Sequence, residues 1–238
     1  MSYKDYLVKW IKEQVLKANC KGVVVGLSGG VDSSVVATLG KEAFPNNSLG
    51  IYLPINDMAQ DLVDAKLVAD KINIKTKLID LTDSFKAISK VAPVKSKLAI
   101  TNMKPRLRMT ALYAVAQENN YLVLGTDNAA EWILGYFTKH GDGGVDLLPI
   151  VNLTKGEVKQ MAQDMDLPQN VWTKKPSAAL WEGQNDEDEL GFSYDEVDKF
   201  INGEIVNKII RDKIQHQINI TEHKRIKIPT PLKKENID

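Results

Sequence analysis

Cysteine is close to absent: Cys20 is the single one in 238 residues. That excludes an internal disulfide and any cysteine-rich metal cluster. Histidine is scarce too, and no zinc-type spacing joins His140, His216 and His223. Neither sign of charge is in excess, with 31 Lys+Arg against 31 Asp+Glu, so no global field favours nucleic acid or an anionic membrane. No apolar run approaches the length of a bilayer span, and the opening Met1-Ser2-Tyr3-Lys4-Asp5 lacks the apolar core of a signal peptide. The expected setting is the cytoplasm. What is present is an ordinary globular composition, 43% hydrophobic and 26% charged, with length for one large domain or a domain with a small appendage.

The densest signal is Val23-Val24-Val25-Gly26-Leu27-Ser28-Gly29-Gly30-Val31-Asp32-Ser33-Ser34. A β-branched run, a Ser-Gly-Gly turn and the start of an apolar helix together present backbone N–H groups and a helix dipole to a phosphate. Gly29 and Gly30 permit positive φ and close approach of a ligand. Ser28, Ser33 and Ser34 add hydroxyls, and Asp32 suits a divalent cation beside a polyphosphate. The string is neither a Walker loop nor Gly-x-Gly-x-x-Gly. It resembles the pyrophosphate loop of the ATP pyrophosphatases, which split ATP into AMP and pyrophosphate. A tight strand–helix turn without a ligand is the plainer alternative.

Around this loop the hydrophobic pattern alternates strands and helices. Leu7, Ile11, Val15 and Ala18 predict an amphipathic helix over 4–19, followed by a strand over 22–27. A helix over 33–44 ends at Pro45-Asn46-Asn47; strands over 48–53 and 74–81 flank a helix over 59–72. Residues 83–98 read as a helical turn and a mobile loop, 102–119 as a helix with Pro105 in its first turn, and 121–125 as a further strand. Thr154-Lys155-Gly156-Glu157 has capping-box spacing and predicts a helix to about 165. Residues 172–191 are polar and broken; helices over 194–202 and 204–218 and a basic tail close the chain. Such a rhythm implies right-handed crossovers and a parallel sheet covered on both faces, with ligands at the carboxyl ends of the strands.

Further motifs fall at those ends. In Leu124-Gly125-Thr126-Asp127-Asn128-Ala129-Ala130-Glu131, Gly125 allows close approach, Thr126 offers a hydroxyl, and Asn128 can cap a short helix. Glu131 then points back to the rim, where it and Asp32 can share one Mg²⁺. Taken alone, the string also reads as a cap plus a solvated glutamate. Residues 136–146 mix glycines with aromatics and charges, as a ligand loop or an ordinary surface loop does. Lys104, Arg106 and Arg108 fall on different helix faces; Arg106, with apolar neighbours, is the one expected to meet an anion.

In order, the chain carries Ser-Gly-Gly-Val-Asp-Ser-Ser, Asn-Met-Lys-Pro-Arg-Leu-Arg-Met, Gly-Thr-Asp-Asn-Ala-Ala-Glu and Gly-Tyr-Phe-Thr-Lys-His-Gly-Asp-Gly-Gly-Val-Asp-Leu-Leu-Pro. Leu-Thr-Lys, Lys-Pro-Ser-Ala-Ala-Leu-Trp, Asp-Glu-Leu-Gly and Glu-His-Lys-Arg complete the series. The series, spanning 22–225, closely resembles the ammonia-dependent NAD synthetases. The resemblance implies a doubly wound, mostly parallel five-stranded α/β sheet with helices on both faces, of the adenine nucleotide alpha-hydrolase-like kind. It also implies one synthetase domain over 1–238: an N-terminal helix in 1–21, a nucleotide-binding core in 22–170, and a loop, helices and tail in 171–238.

By the same resemblance, Gly26, Leu27, Ser28, Gly29, Gly30, Val31, Asp32 and Ser33 bind ATP. Thr126, Lys155 and Ser177 add further ATP contacts, and Asp32 and Glu131 ligate Mg²⁺. Arg106, Lys139, Asp146, His223 and Lys224 match positions that bind nicotinate adenine dinucleotide (deamido-NAD). Pro105 stands where the family's string has alanine. The implied ligase reaction forms an acyl adenylate on the nicotinate carboxylate, which ammonia converts to the amide of NAD, with Asp32 and Lys155 as the catalytic pair. A homodimer is implied as well. The loops over 83–97 and 183–189 are the candidates for segments that order over ligand. The alternatives are another pyrophosphate-loop enzyme, such as a tRNA-modifying ligase or a sulfurtransferase, and a nucleotide-binding protein without turnover. Balanced charge and a single cysteine speak against the first pair.

Overall fold

Three consecutive valines, buried on both sides, make β1 (Gly22–Gly26) the centre of the fold. The computed structural model describes residues 1–56, 59–174 and 186–233. β1 pairs in parallel with β2 (Ser48–Tyr52) and with β4 (Tyr121–Leu124), and β3 (Lys75–Leu78) pairs with β2 on its far side. The order is β3-β2-β1-β4, so the winding reverses between β1 and β4.

Side-chain alternation assigns the two faces. Val23 and Val25 turn to one face, against α1 (Tyr3–Lys17), α2 (Val31–Ala43), α3 (Ala59–Ile72) and α8 (Lys155–Asp164). Val24 turns to the other, with Leu49, Ile51 and Val123, under Leu107, Ala111 and Leu112 of α6 (Met103–Asn119). α1 is tied to the body by Leu7, Ile11 and Val15, all buried, each contributing about 2 kcal/mol. A separate apolar cluster joins α7 (Ala129–Leu134), α11 (Tyr194–Ile201) and α12 (Lys208–Thr221) through Leu134, Tyr194, Val197 and Ile214.

The expectation of five strands is corrected: the described residues hold a sheet of four. Residues 145–149 run beside β4 where a fifth would lie but make a single bridge, Leu124 to Leu147. Leu147 N–H donates to the Val123 carbonyl and Gly125 N–H to the Leu147 carbonyl. The ladder stops on both sides of that rung. The Asp146 carboxylate takes the Val123 N–H at 2.8 Å, displacing a backbone acceptor, and Pro149 has no N–H to offer the next rung.

The stretch expected as a helical turn and loop instead holds α4 (Thr82–Val91) and α5 (Lys97–Thr101), separated by a break containing Pro93. α4 starts where Asp80 accepts the Thr82 N–H at 2.8 Å. None of its residues is buried, and Ile88 and Val91 face outward at 40% and 77% exposure. The last helix begins at Lys208 rather than 204, because Asn207 caps it by accepting the Ile209 N–H at 2.9 Å. Two short helices complete the described chain, α9 (Gln169–Thr173) and α10 (Asp186–Leu190).

Candidate active site

A cavity of about 960 Å³ opens at the carboxyl ends of β1, β2 and β4, where the winding reverses. Its floor is the predicted loop. Gly26, Leu27, Ser28, Gly30, Val31, Asp32 and Ser33 all line it. α2 begins at Val31, two residues earlier than its hydrophobic pattern predicted, so Asp32 and Ser33 occupy the first turn. No side chain caps that helix, and its first N–H groups are left for a ligand. The serines hold the turn: Ser33 and Ser34 hydroxyls donate to the Gly30 carbonyl at 3.0 and 2.8 Å, and Gly30 N–H donates to Ser28 Oγ at 3.3 Å.

Gly29 has φ +78°, and a Cβ there would stand 2.5 Å from the Asp61 carbonyl oxygen on α3. Both the backbone region and the space call for glycine. If the loop binds ATP as the resemblance implies, Gly29→Ala is expected to lower kcat/KM for ATP about a hundredfold by displacing the loop, with a lower melting temperature, in steady-state and thermal assays.

Lys155, 123 residues from Asp32, crosses to the loop from the start of α8. Its ammonium donates to Asp32 Oδ2 at 2.7 Å and to Glu131 Oε1 at 3.1 Å. Side-chain exposure is 5% for the lysine and 16% for each carboxylate. Desolvation pulls the lysine pKa down, but Asp32 and Glu131 outweigh it and hold the group charged well above its ordinary range. Desolvation pushes Glu131 up to about 7 against the opposing pull of Lys155.

Glu131 is aimed by a capping box. Asn128 Oδ1 accepts the Glu131 N–H at 3.1 Å, Glu131 Oε2 accepts the Asn128 N–H at 3.2 Å, and the Asn128 amide donates to Asp32 Oδ1 at 2.9 Å. Cap and rim carboxylate are therefore one device: the expected cap is present, but Glu131 is not solvated, its side chain being 16% exposed.

Thr126 lines the same cavity. So does Asp127, which the sequence reading passed over: it is 4% exposed, and its Oδ2 meets no donor among the described residues. Burial first, then repulsion from Asp142, Glu131 and Asp32, raises its pKa well above the ordinary value, with Lys155 opposing. Between that ordinary value, about 3.9, and the raised one, the folded chain binds more protons than the unfolded chain, so stability falls as pH rises. Asp127→Asn is expected to raise the melting temperature of the ligand-free protein by about 4 °C at pH 7.5, with the gain vanishing near pH 4. Differential scanning calorimetry at both pH values reads it.

The donor set bears on a metal. Among the described residues no three or more His, Cys, Asp or Glu are placed to hold an ion by themselves. Asp32 and Glu131 already converge on one cation, and an orphaned buried carboxylate oxygen lies in the same wall. Two carboxylates with room for phosphate oxygens and water suit Mg²⁺.

Of the five residues expected to contact the dinucleotide, four are clustered by contacts with one another, and among them only Lys224 lines the cavity. Lys139 donates to the His223 carbonyl at 2.7 Å, and Arg106 Nε to the Lys139 carbonyl at 3.3 Å. Lys224 donates to the carbonyls of Gly135 and Phe137 at 2.7 and 2.8 Å and lines the cavity. Asp146 is held elsewhere, by the Val123 N–H and, at 3.0 Å, the Tyr113 hydroxyl. Of the three basic residues on α6 it is Arg108 that lines the cavity, with Nε donating to the Leu53 carbonyl at 3.1 Å; Arg106 is exposed outside it. Ser177 lies outside the described residues.

The sequence matches the family model for NAD synthase over residues 3–236. It is 54% identical over 231 residues to the NH(3)-dependent NAD(+) synthetase of Mycoplasmopsis pulmonis, covering 97% of this chain and 90% of that protein. Among solved structures it is similar to an NMN synthetase from Francisella tularensis, with TM-score 0.92, 39% identity, and coverage of 96% and 97% of the two chains. It is also similar to the NH3-dependent NAD synthetase of Campylobacter jejuni, solved with a nitrate ion, at TM-score 0.83 and 28% identity over 98% and 100% of the chains.

Proposed function

Since the chain belongs to the NAD synthase family, we propose that it joins ammonia to the nicotinate carboxylate of deamido-NAD, splitting ATP into AMP and pyrophosphate and releasing NAD. The observation that carries this reading is the convergence of the phosphate-type loop, Asp32, Glu131 and Lys155 on one cavity at the switch in strand order.

The chemistry is a problem of charge. A carboxylate oxygen attacks the α-phosphorus of ATP, the bond from that phosphorus to the bridging oxygen breaks, and pyrophosphate leaves. Ammonia then attacks the acyl carbon of the adenylate, a proton is lost, and AMP departs with the carboxyl oxygen it gained. The free N–H groups at the start of α2 receive phosphate oxygens, and Lys155 offsets charge on the departing pyrophosphate. Asp32 and Glu131 would hold Mg²⁺, which neutralises phosphate charge when bound. Thr126 and Ser177 supply hydroxyls to ATP. Arg106, Lys139, His223 and Lys224 form the basic rim for the dinucleotide, and Asp146 belongs to that set by its place in the motif. The NH(3)-dependent name of the Mycoplasmopsis pulmonis relative supports ammonia as the direct donor, taken up free or delivered by a separate subunit.

A homodimer is part of the proposal, supported by the uncovered apolar residues of α4. Light scattering returning a single-chain mass would overturn it. No helix among the described residues is long and apolar enough to cross a membrane, and a cytoplasmic setting completes the reading.

The test is an endpoint assay with deamido-NAD, Mg-ATP and ammonium chloride, reading NAD, AMP and pyrophosphate together. Parallel reactions substitute glutamine for ammonium, or nicotinate mononucleotide for the dinucleotide, since one structural relative is named for the mononucleotide product. Ammonium-dependent NAD equal to AMP is expected. AMP without NAD sinks the reading, and amidation of the mononucleotide alone moves the substrate.

A further inference from the structure

One helix holds Lys155 at both ends. Tyr194 and Asp198 stand four residues apart on α11, one turn along the same face. Asp198 reaches the start of α8: Oδ1 accepts the Lys155 N–H at 3.1 Å and Oδ2 the Gly156 N–H at 2.8 Å. Tyr194 meets the other end, with its ring centroid 5.0 Å from Lys155 Nζ. The ring is itself fixed, 3% exposed, with its hydroxyl donating to Asp186 Oδ2 at 3.3 Å and its backbone N–H to Glu187 Oε1 at 2.8 Å. A capping box at Ser193 sets where the helix starts.

A lysine carries much rotamer freedom, and its carboxylate bonds are exchangeable. On the function proposed above, on which this inference rests, an entering polyphosphate draws the ammonium's hydrogen bonds away from Asp32 and Glu131. The aromatic face takes no part in that exchange and keeps its attraction for the cation. We propose that α11 is the positioning element for Lys155, with Asp198 fixing the backbone and Tyr194 aiming the ammonium at the phosphates. Neither is a catalytic residue; both act through Lys155. Tyr194 and Asp198 therefore form a working pair with Lys155 that local sequence does not reveal.

The experiment uses the full chain with Tyr194→Phe, Tyr194→Leu and Asp198→Asn, each also made in a Lys155→Met background. It reads kcat and KM for NAD synthesis and, separately, ATP affinity by calorimetry without divalent metal. Tyr194→Leu is expected to lose about tenfold in kcat and in ATP affinity with KM for the dinucleotide unchanged, and Tyr194→Phe, which keeps the ring, to restore both. In the Lys155→Met background neither substitution should lower ATP affinity further. Wild-type behaviour of Tyr194→Leu, no rescue by phenylalanine, or equal losses with and without Lys155 would overturn the inference. If Tyr194→Leu does not fold, Asp198→Asn decides by the same comparison. A parent protein that makes no NAD sinks the proposed function instead, and the ATP affinities still judge the positioning role.

Discussion

Lys155→Met is expected to lower kcat about a thousandfold while KM for the dinucleotide stays near its parent value. Its ammonium is the cation shared by Asp32 and Glu131 at 2.7 and 3.1 Å, and all three side chains are largely shut off from water. Fixed charge in such a place acts on developing negative charge far more strongly than in solvent, and removing one donor of this kind costs about a hundred- to a thousandfold. On the function proposed above, Lys155 faces the phosphates and Arg106, Lys139, His223 and Lys224 face the dinucleotide, so the loss should fall on kcat. Stability should fall too. Methionine leaves two carboxylates facing each other without their counter-ion, a change that costs about 3 kcal/mol or more and lowers the melting temperature by about 10 °C. The two effects separate experimentally, because steady-state rates at 25 °C are read on the folded fraction.

The parts of the site written in short strings were legible in advance. Val23 to Ser34 announces its strand, turn and helix locally, and so does the Asn128–Glu131 capping box. What was not legible depends on distance in the chain. The meeting of Lys155 with Asp32, 123 residues away, follows only from the family resemblance and not from local pattern, and nothing announces that α11 will reach back to the Lys155 amide. Apolar neighbours favoured Arg106 as the anion contact, yet rotation of α6 about its axis brings Arg108 to the cavity and leaves Arg106 outside it. Asp127 was overlooked because its burial comes from the tertiary setting of β4 and not from its neighbours in sequence. The missing fifth strand has the opposite lesson. Val145, Leu147 and Leu148 carry strand character, but Asp146 and Pro149 at the critical rungs block the ladder, and both were visible as residue types.

Asp32→Ala should silence pyrophosphate release as thoroughly as Lys155→Met while leaving the fold almost untouched. The contrast follows from charge counting within one cluster. With both carboxylates present, Lys155 faces two anions; removing Asp32 leaves a matched Lys155–Glu131 pair at 3.1 Å. A buried pair retained intact carries little penalty, whereas a buried charge left alone carries a large one. The Asn128 amide loses its acceptor, Asp32 Oδ1, a change of about 1 kcal/mol that partly cancels the relief of repulsion. The melting temperature of ligand-free Asp32→Ala should therefore stay within about 3 °C of the parent. Activity has no such compensation. Asp32 sits in the first turn of α2, directly beside the loop amides, and pairs with Glu131 as the only other carboxylate that Lys155 binds among the described residues. On the proposed metal assignment, Asp32 would be one of two protein ligands to a divalent cation, and losing it would leave the charge of the departing pyrophosphate less well offset. Measured together by calorimetry and pyrophosphate release, the two variants should show like losses of activity and unlike stabilities. Wild-type turnover by Asp32→Ala would remove the metal assignment, and equal destabilisation of the two would remove the charge account of the cluster.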